Sequence, residues 1–405
     1  VDNHHRGGAG VRAAWEKFGQ PLAVGEIAAG ILLGPSALGL IWPSDWPVLF
    51  PNETQTSLQL LGKLGLIFLL FQVGMEFDYG HLRTRSRTIA AVSILGIAAP
   101  FLCGLGIAPW LHEKFAPDTP RLGFELFFCI ALSISALPIM GRILLEMKLE
   151  RTAIGAMGIS AAAIDDVTGW ILLGVATALV TTNLNAWLLL LQLAEISVFS
   201  LLLQFFVGPW LRKLWRENVR DAHENGMPDS FLALLLIGLF ASSLVTHCLG
   251  IFVIFGAFLF GTCLHQEPTL VKAWRDRFSG VVLVAFVPIF FTNTGLSTKI
   301  GSLQSPEAWF ACALVLAAAV AGKLGGCYLG ARATGRSPRE AGCVAALMNT
   351  RGLMALIAIN IGLDLGLLTP ALFTMLVIMA LLTTTMCEPL LRWWLPKDLR
   401  KLVPD

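Results

Sequence analysis

Apolar residues along this chain gather into runs of about 20, the length an α-helix needs to cross a hydrocarbon core, with short polar segments between them. The runs extend from Leu22 to Ile41, Ser57 to Phe77, Ser86 to Leu111, Phe124 to Glu146, Thr152 to Val180, Ala186 to Leu211 and Asp229 to His247. They continue from Leu249 to His265, Gly280 to Leu296, Glu307 to Ala331, Glu340 to Leu363 and Thr369 to Leu391. This pattern predicts an all-α polytopic membrane protein with about 12 transmembrane helices, because a helix satisfies its own backbone where no water is present. The stretch from Phe231 to Leu264 is too long for one crossing and is divided at His247 to Gly250. No room is left for an attached soluble domain, so 1–405 reads as a single transmembrane domain.

Composition agrees: 56% of the residues are hydrophobic and 14% charged, and the mean hydropathy is +0.72, outside the range of soluble globular chains. A net charge of +2 identifies no partner, but its distribution is informative. Alternate loops collect Arg12 and Lys17, Arg83 to Arg87, Arg142 to Arg151, Arg212 to Arg220, Lys272 to Arg277, Arg332 to Arg339, and the basic tail from Arg392. The opposite loops hold only Lys114, Arg121 and Lys299. The positive-inside rule therefore places both visible ends in the cytoplasm. Three cations, Lys63, Lys323 and Arg351, remain inside apolar runs.

The chain begins VDNHHRGG, without an initiating Met or a signal peptide, and reads as a fragment or processed product in which His4 and His5 are terminal residues rather than a metal site. The eight cysteines are scattered through apolar runs without metal-ligand spacing and read as small core residues. No cofactor and no nucleic-acid partner is expected.

Self-comparison suggests an internal repeat. GQPLAVGEIAAG (Gly19 to Gly30) shares its three-glycine spacing with GIFVIFGAFLFG (Gly250 to Gly261), and FQVGMEFDYGHL (Phe71 to Leu82) aligns with TNTGLSTKIGSL (Thr292 to Leu303). SISALP (Ser133 to Pro138) then faces MNTRGL (Met348 to Leu353). These matches pair the first span with the eighth, the second with the ninth and the fourth with the eleventh. An odd separation of seven spans makes the halves antiparallel: an inverted-topology repeat, the architecture of secondary transporters. Both members of the fourth and eleventh pair carry helix breakers at mid-span. Ser133, Ser135 and Pro138 in one, and Asn349 and Thr350 beside Arg351 in the other, predict two crossing broken helices lining a cavity at membrane depth.

Within SAAAIDDVTGW (Ser160 to Trp170) stand two adjacent acids, Asp165 and Asp166. Each costs roughly 2.5 to 3.5 kcal/mol at the bilayer centre on insertion scales, and their mutual repulsion adds to this. Helical neighbours diverge by about 100° of arc, so one acid can face a cavity while the other turns to an interhelical partner. The candidate partners are Lys323 and Arg351. Burial penalises the charged forms of both acids and of Lys323, which makes a site where a hard cation and protons compete for the same oxygens. Arg351, always protonated, is excluded from proton exchange and suits the carbonyl ends of the broken helices or a nearby acid. Glu26 reads as a packing or interfacial residue, Glu76 and Asp78 as interfacial, and Lys63 as snorkelling outward. His247 and His265 fall near span ends, and Glu195 has no account.

Taken in order, GEIAAGILLGPSALG, FQVGMEFD, SAAAIDDVTGWILL, FTNTGLSTKI and MNTRGLMALIAINIGLDLG resemble motifs of the monovalent cation:proton antiporter-2 family, which has the sodium/proton exchanger fold. The resemblance runs from Gly25 to about Pro389. It implies a homodimer in the lipid bilayer, with dimerisation helices mainly in 20–77 and 186–296 and an elevator-like ion-transporting core mainly in 86–180 and 307–391. It also implies that Asp166 binds the ion and the proton, and that Asp165 pairs with Lys323. The double aspartate with that lysine resembles the electrogenic sodium-transporting branch more than the potassium-efflux branch. An additional N-terminal family helix is missing or truncated, with Val11 to Gly19 its only candidate remnant, and the potassium-efflux members' nucleotide-binding domain is absent from the chain given. The expected location is a bacterial inner membrane.

The alternatives are a potassium/proton antiporter of the same family, a sodium-coupled solute symporter of a related fold, an ion channel, and an intramembrane aspartyl protease. The protease needs its two acids on different helices, and here they are adjacent, with no GxGD motif. An enzyme is therefore not expected.

Overall fold

The computed structural model describes residues 22–76, 87–149, 152–181, 186–225 and 227–400. The readings made above for His4, His5, the possible helix remnant at Val11 to Gly19, and Asp78 lie outside the described residues. Nine helices are long and apolar enough to cross a membrane among these residues, and the remaining expected crossings are a shorter apolar helix and two interrupted ones. In chain order the spans are α1 (Leu22–Leu33), α2 (Asn52–Glu76), α3 (Arg87–Phe115), α4a (Arg121–Ser133) with α4b (Leu137–Glu146), and α5 (Ala153–Thr181). Next come α6 (186–225, loosened into π-helical turns at Leu203–Val207), α7 (Asp229–Cys248), α8 (Val253–Thr262) and α9 (268–297, with π-helical turns of its own). The last are α10 (Pro306–Ala333), α11a (Pro338–Met348) with α11b (Leu353–Asp364), and α12 (Pro370–Thr385, continued by Cys387–Trp394).

The division expected within 231–264 falls between Cys248 and Val253. Gly250 takes a positive φ of 77° there, which only glycine adopts at little cost. Its amide bonds to the His247 carbonyl while that of Ile251 bonds to Thr246, a Schellman close that satisfies the end of α7.

The chain forms two compact units. One comprises residues 1–46, 80–173 and 294–405, and the other 47–79 and 174–293. Each unit contains one copy of the same glycine crossing. In the first, a Cβ on Gly295 would meet the Ile27 carbonyl and come within 2.8 Å of the Gly30 Cα. In the second, a Cβ on Gly74 would meet the Phe258 carbonyl and come within 3.0 Å of the Gly261 Cα. Gly30 and Gly261 are repeat mates, as are Gly74 and Gly295 and also Ile27 and Phe258. The repeat visible in the sequence is thus a pair of backbone contacts that no side chain can enter, the small-residue packing that membrane helices use in place of a hydrophobic driving force.

The first unit has a second close contact, between α3 and α10. Gly322, Gly326 and Gly330 recur every four residues on one face of α10, and a Cβ on them would strike Pro100, the Leu95 carbonyl and the Ala91 carbonyl of α3. Lys323 lies in this seam, and a Cβ on Gly96 of α3 would come within 4.0 Å of its Nζ. Gly325 faces open space. Thermal unfolding in detergent should therefore show Gly326→Ala destabilised by about 1–3 kcal/mol, the usual cost of overpacking, while Gly325→Ala stays within about 0.5 kcal/mol of the wild type.

Candidate ion site

The two interrupted helices cross within the first unit. In the fourth span the helix stops at Ser133, runs extended through Ile134 to Ala136, and restarts at Leu137. Pro138 is not in the gap, as a simple proline break would require. It stands in the first turn of α4b, where its missing N–H leaves no helical bond unmade. In the eleventh span Asn349 is the C-cap of α11a and Gly352 the N-cap of α11b. A Cβ on Gly352 would fall on the end of the Ile139 side chain, so a larger residue there would have to push Ile139 aside.

The breaks satisfy each other. The Ala136 amide donates to the Thr350 carbonyl at 3.0 Å, and the Ser135 hydroxyl donates to the Met348 carbonyl at 2.8 Å. Ser133 and Thr350 use their hydroxyls locally, donating to the Cys129 and Leu347 carbonyls. What these two residues offer their surroundings is backbone carbonyl, and both carbonyls are taken, that of Thr350 by the Ala136 amide and that of Ser133 by Lys323.

Lys323 and Arg351 both answer the carbonyl end of α4a, where a helix dipole leaves partial negative charge. The Lys323 Nζ donates to the Ser133 carbonyl at 2.6 Å and to Asp165 Oδ2 at 2.6 Å. Arg351 donates from Nη1 to the Ala131 carbonyl at 3.0 Å and from Nη2 to the Ala319 carbonyl of α10 at 3.1 Å. The readings from the sequence left open whether Arg351 meets carbonyls or an acid, and the guanidinium meets carbonyls. Lys323 and Arg351 are 0% and 1% exposed and Asp165 is 1% exposed, so the pair is fully desolvated.

Asp166, 6% exposed, has a different environment. Its carboxylate lies beside the backbone amide of Leu137, the first residue of α4b. It therefore lies at the positive end of one half-helix, while Lys323 sits at the negative end of the other. Its Oδ1 has no hydrogen-bond partner among the described residues, and the same is true of Asp165 Oδ1 and Asn349 Oδ1. Buried oxygens without donors cost free energy unless something else occupies them.

Residues that sequence reasoning missed hold this crossing from α12. The Arg351 amide donates to Thr384 Oγ1 at 3.2 Å, and the Asn349 Nδ2 donates to the Thr383 carbonyl at 3.4 Å. The only signal was a run of three hydroxyls, Thr383 to Thr385, in an otherwise apolar span. The remaining charges are peripheral: Glu76 pairs with Arg275 at 2.9 Å, Lys63, Glu195 and His247 are exposed, and Glu26 and His265 are half-buried. Cys129, Cys263, Cys312, Cys327, Cys343 and Cys387 are buried, whereas Cys248 is exposed.

The sequence pattern of the family described as "Sodium/hydrogen exchanger, transmembrane" matches residues 9–393. The chain belongs to that family. Sodium/hydrogen exchangers are transporters, not enzymes, and the chain is an integral, multi-pass member. It is 38% identical over 379 residues to the Na(+)/H(+) antiporter NhaS4 of Synechocystis sp., covering 92% of this chain and 91% of that relative. It is 35% identical over 371 residues to the cation/H(+) antiporter 17 of Arabidopsis thaliana, covering 92% of this chain but only 45% of the plant protein. The chain thus spans less than half the length of that plant exchanger. The solved structure of the sodium proton antiporter MjNhaP1 from Methanocaldococcus jannaschii superposes with a TM-score of 0.64 at 15% identity, covering 98% of this chain and 96% of that one. This establishes a shared fold.

The desolvated pair yields a stability prediction. Lys323→Met alone leaves a buried acid uncompensated and should lower stability by about 3–5 kcal/mol, whereas Lys323→Met with Asp165→Leu should be about neutral or better. Denaturant titration of the purified proteins measures both.

Proposed function

We propose that this exchanger is a secondary active transporter that moves a monovalent cation, sodium first, against protons by alternating access. The observation that carries the reading is the unequal environment of two adjacent acids. Each acid keeps one buried oxygen without a partner, but Asp165 is ion-paired to Lys323, whereas Asp166 has no ion pair among the described residues. A carboxylate so placed holds either a proton or a cation, because burial makes an uncompensated charge costly. Entry of the cation therefore requires departure of the proton, which is the coupling an antiporter needs. Asp166 is the ion and proton ligand, and Asp165 is held in place by Lys323. Arg351 neutralises the carbonyl end of α4a, and the backbone of the two breaks, from Ser133 and Ser135 to Pro138 and at Asn349 and Thr350, lines the path. The names of the cyanobacterial and plant relatives support cation/proton exchange.

Potassium is the second candidate cation, favoured by two further relatives: the K(+)/H(+) antiporter 1 of Saccharomyces cerevisiae, 27% identical, and the Na(+)/H(+)-K(+) antiporter GerN of Bacillus cereus, 28% identical. The asymmetry of the basic loops supports cytoplasmic termini. The strong likeness to a cyanobacterial relative supports a bacterial cell membrane, and the chain works there as a homodimer.

In liposomes holding a preset proton gradient and a pH-sensitive dye, sodium should dissipate the gradient, and Asp166→Asn should abolish that response; wild-type exchange by this variant would overturn the assignment. Lys323→Gln should lose the dependence of exchange on membrane voltage, read by clamping the potential with potassium and valinomycin in the same vesicles.

A further inference from the structure

α12 supplies no charged group to the crossing, but it supplies one hydroxyl in an unusual position. Thr383 and Thr384 are adjacent and buried, at 0% and 2% exposure. The Thr383 hydroxyl returns to its own helix, donating to the Met379 and Ala380 carbonyls at 2.8 and 3.2 Å, the usual habit of a threonine inside a helix. The Thr384 hydroxyl also reaches back, to the Ala380 carbonyl at 2.7 Å. In addition it accepts the Arg351 amide at 3.2 Å and lies against the Arg351 carbonyl. The single hydroxyl proton is shared between the Ala380 and Arg351 carbonyls, while the oxygen accepts the amide of the residue at the centre of the second break, a group that no helix partner satisfies.

From there a short relay of peptide groups leads to the ion-binding carboxylate. The Arg351 backbone follows Thr350, whose carbonyl accepts from the Ala136 amide. The next amide along, that of Leu137, lies beside the Asp166 carboxylate. We propose that Thr384 is a positioning residue for cation binding: its hydroxyl fixes the second break, and through the Thr350 to Ala136 bond it fixes the amide that orients the Asp166 carboxylate. Thr384 touches neither cation nor proton. Its contribution is preorganisation, so its loss appears in the cation concentration needed for half-maximal exchange rather than in the maximal rate. This inference rests on the antiport reading above.

The test measures sodium/proton exchange in proteoliposomes at fixed pH across a titration of sodium chloride. Thr384→Val removes the hydroxyl at constant shape and should raise the apparent KM for sodium about tenfold, the loss expected when a buried polar group is left unmatched, with the maximal rate within about twofold. Thr384→Ser should restore the wild-type KM. Thr385→Val, which removes a hydroxyl bonded only within α12, should leave KM unchanged. An unchanged KM in Thr384→Val, a loss confined to the maximal rate, a failure of Thr384→Ser to rescue, or an equal rise in Thr385→Val overturns the proposal. Should Thr384→Val not fold, Thr384→Ala is judged by the same outcomes. A wild type that exchanges nothing overturns the antiport reading, whereas a wild type that exchanges while Thr384→Val keeps its KM overturns this inference alone.

Discussion

A helix that stops in the middle of a bilayer leaves carbonyls and amides where no water can reach them, and the rest of the first unit is arranged around answering those groups. Two such stops occur among the described residues, and neither is tolerable alone. Each break supplies part of what the other lacks: Ala136 meets Thr350, and Ser135 meets Met348. What remains is charge. The carbonyl end of α4a draws Lys323 and Arg351, and the amide end of α4b draws Asp166. The glycine seam between α3 and α10 follows from the same need, because Lys323 reaches Ser133 and Asp165 from a helix packed against its neighbour at backbone distance.

The repeat is symmetric in backbone and asymmetric in chemistry. Its glycine crossings recur in both units with equivalent residues, yet the acids stand on α5, Lys323 on α10 and Arg351 in the second break alone. Packing symmetry makes the frame, and departures from symmetry make a site with a direction. Both buried cations converge on one half-helix end rather than one on each, so the second break relies on neutral groups, chiefly the hydroxyl of Thr384 and the carbonyl of Thr383.

Much of this was legible in the sequence because bilayer thickness imposes a length and water exclusion imposes a composition. Gly250 marked the turn between α7 and α8, and SISALP and MNTRGL marked the breaks. The acids, Lys323 and Arg351 stood out as charges with no business in lipid. Pro138 was misleading as to place, since a proline after a break and a proline within one look alike in one dimension. The partners of Arg351 were illegible for a different reason: Ala131 and Ala319 contribute carbonyls, which every residue has. Thr384 was hidden by resemblance to its neighbours, because nothing in a run of three threonines says which one bonds outside its own helix.

Lys323 lies 158 residues beyond Asp165 in the chain, and Arg351 lies 220 beyond the carbonyl it caps. At translation rates of roughly 5–20 residues per second, α5 waits on the order of ten seconds or more before its counter-charge is synthesised. Until then neither Lys323 nor Arg351 is present to meet the two acids of α5. The charge pairing is therefore completed late in synthesis, only after α10 and the second break have followed.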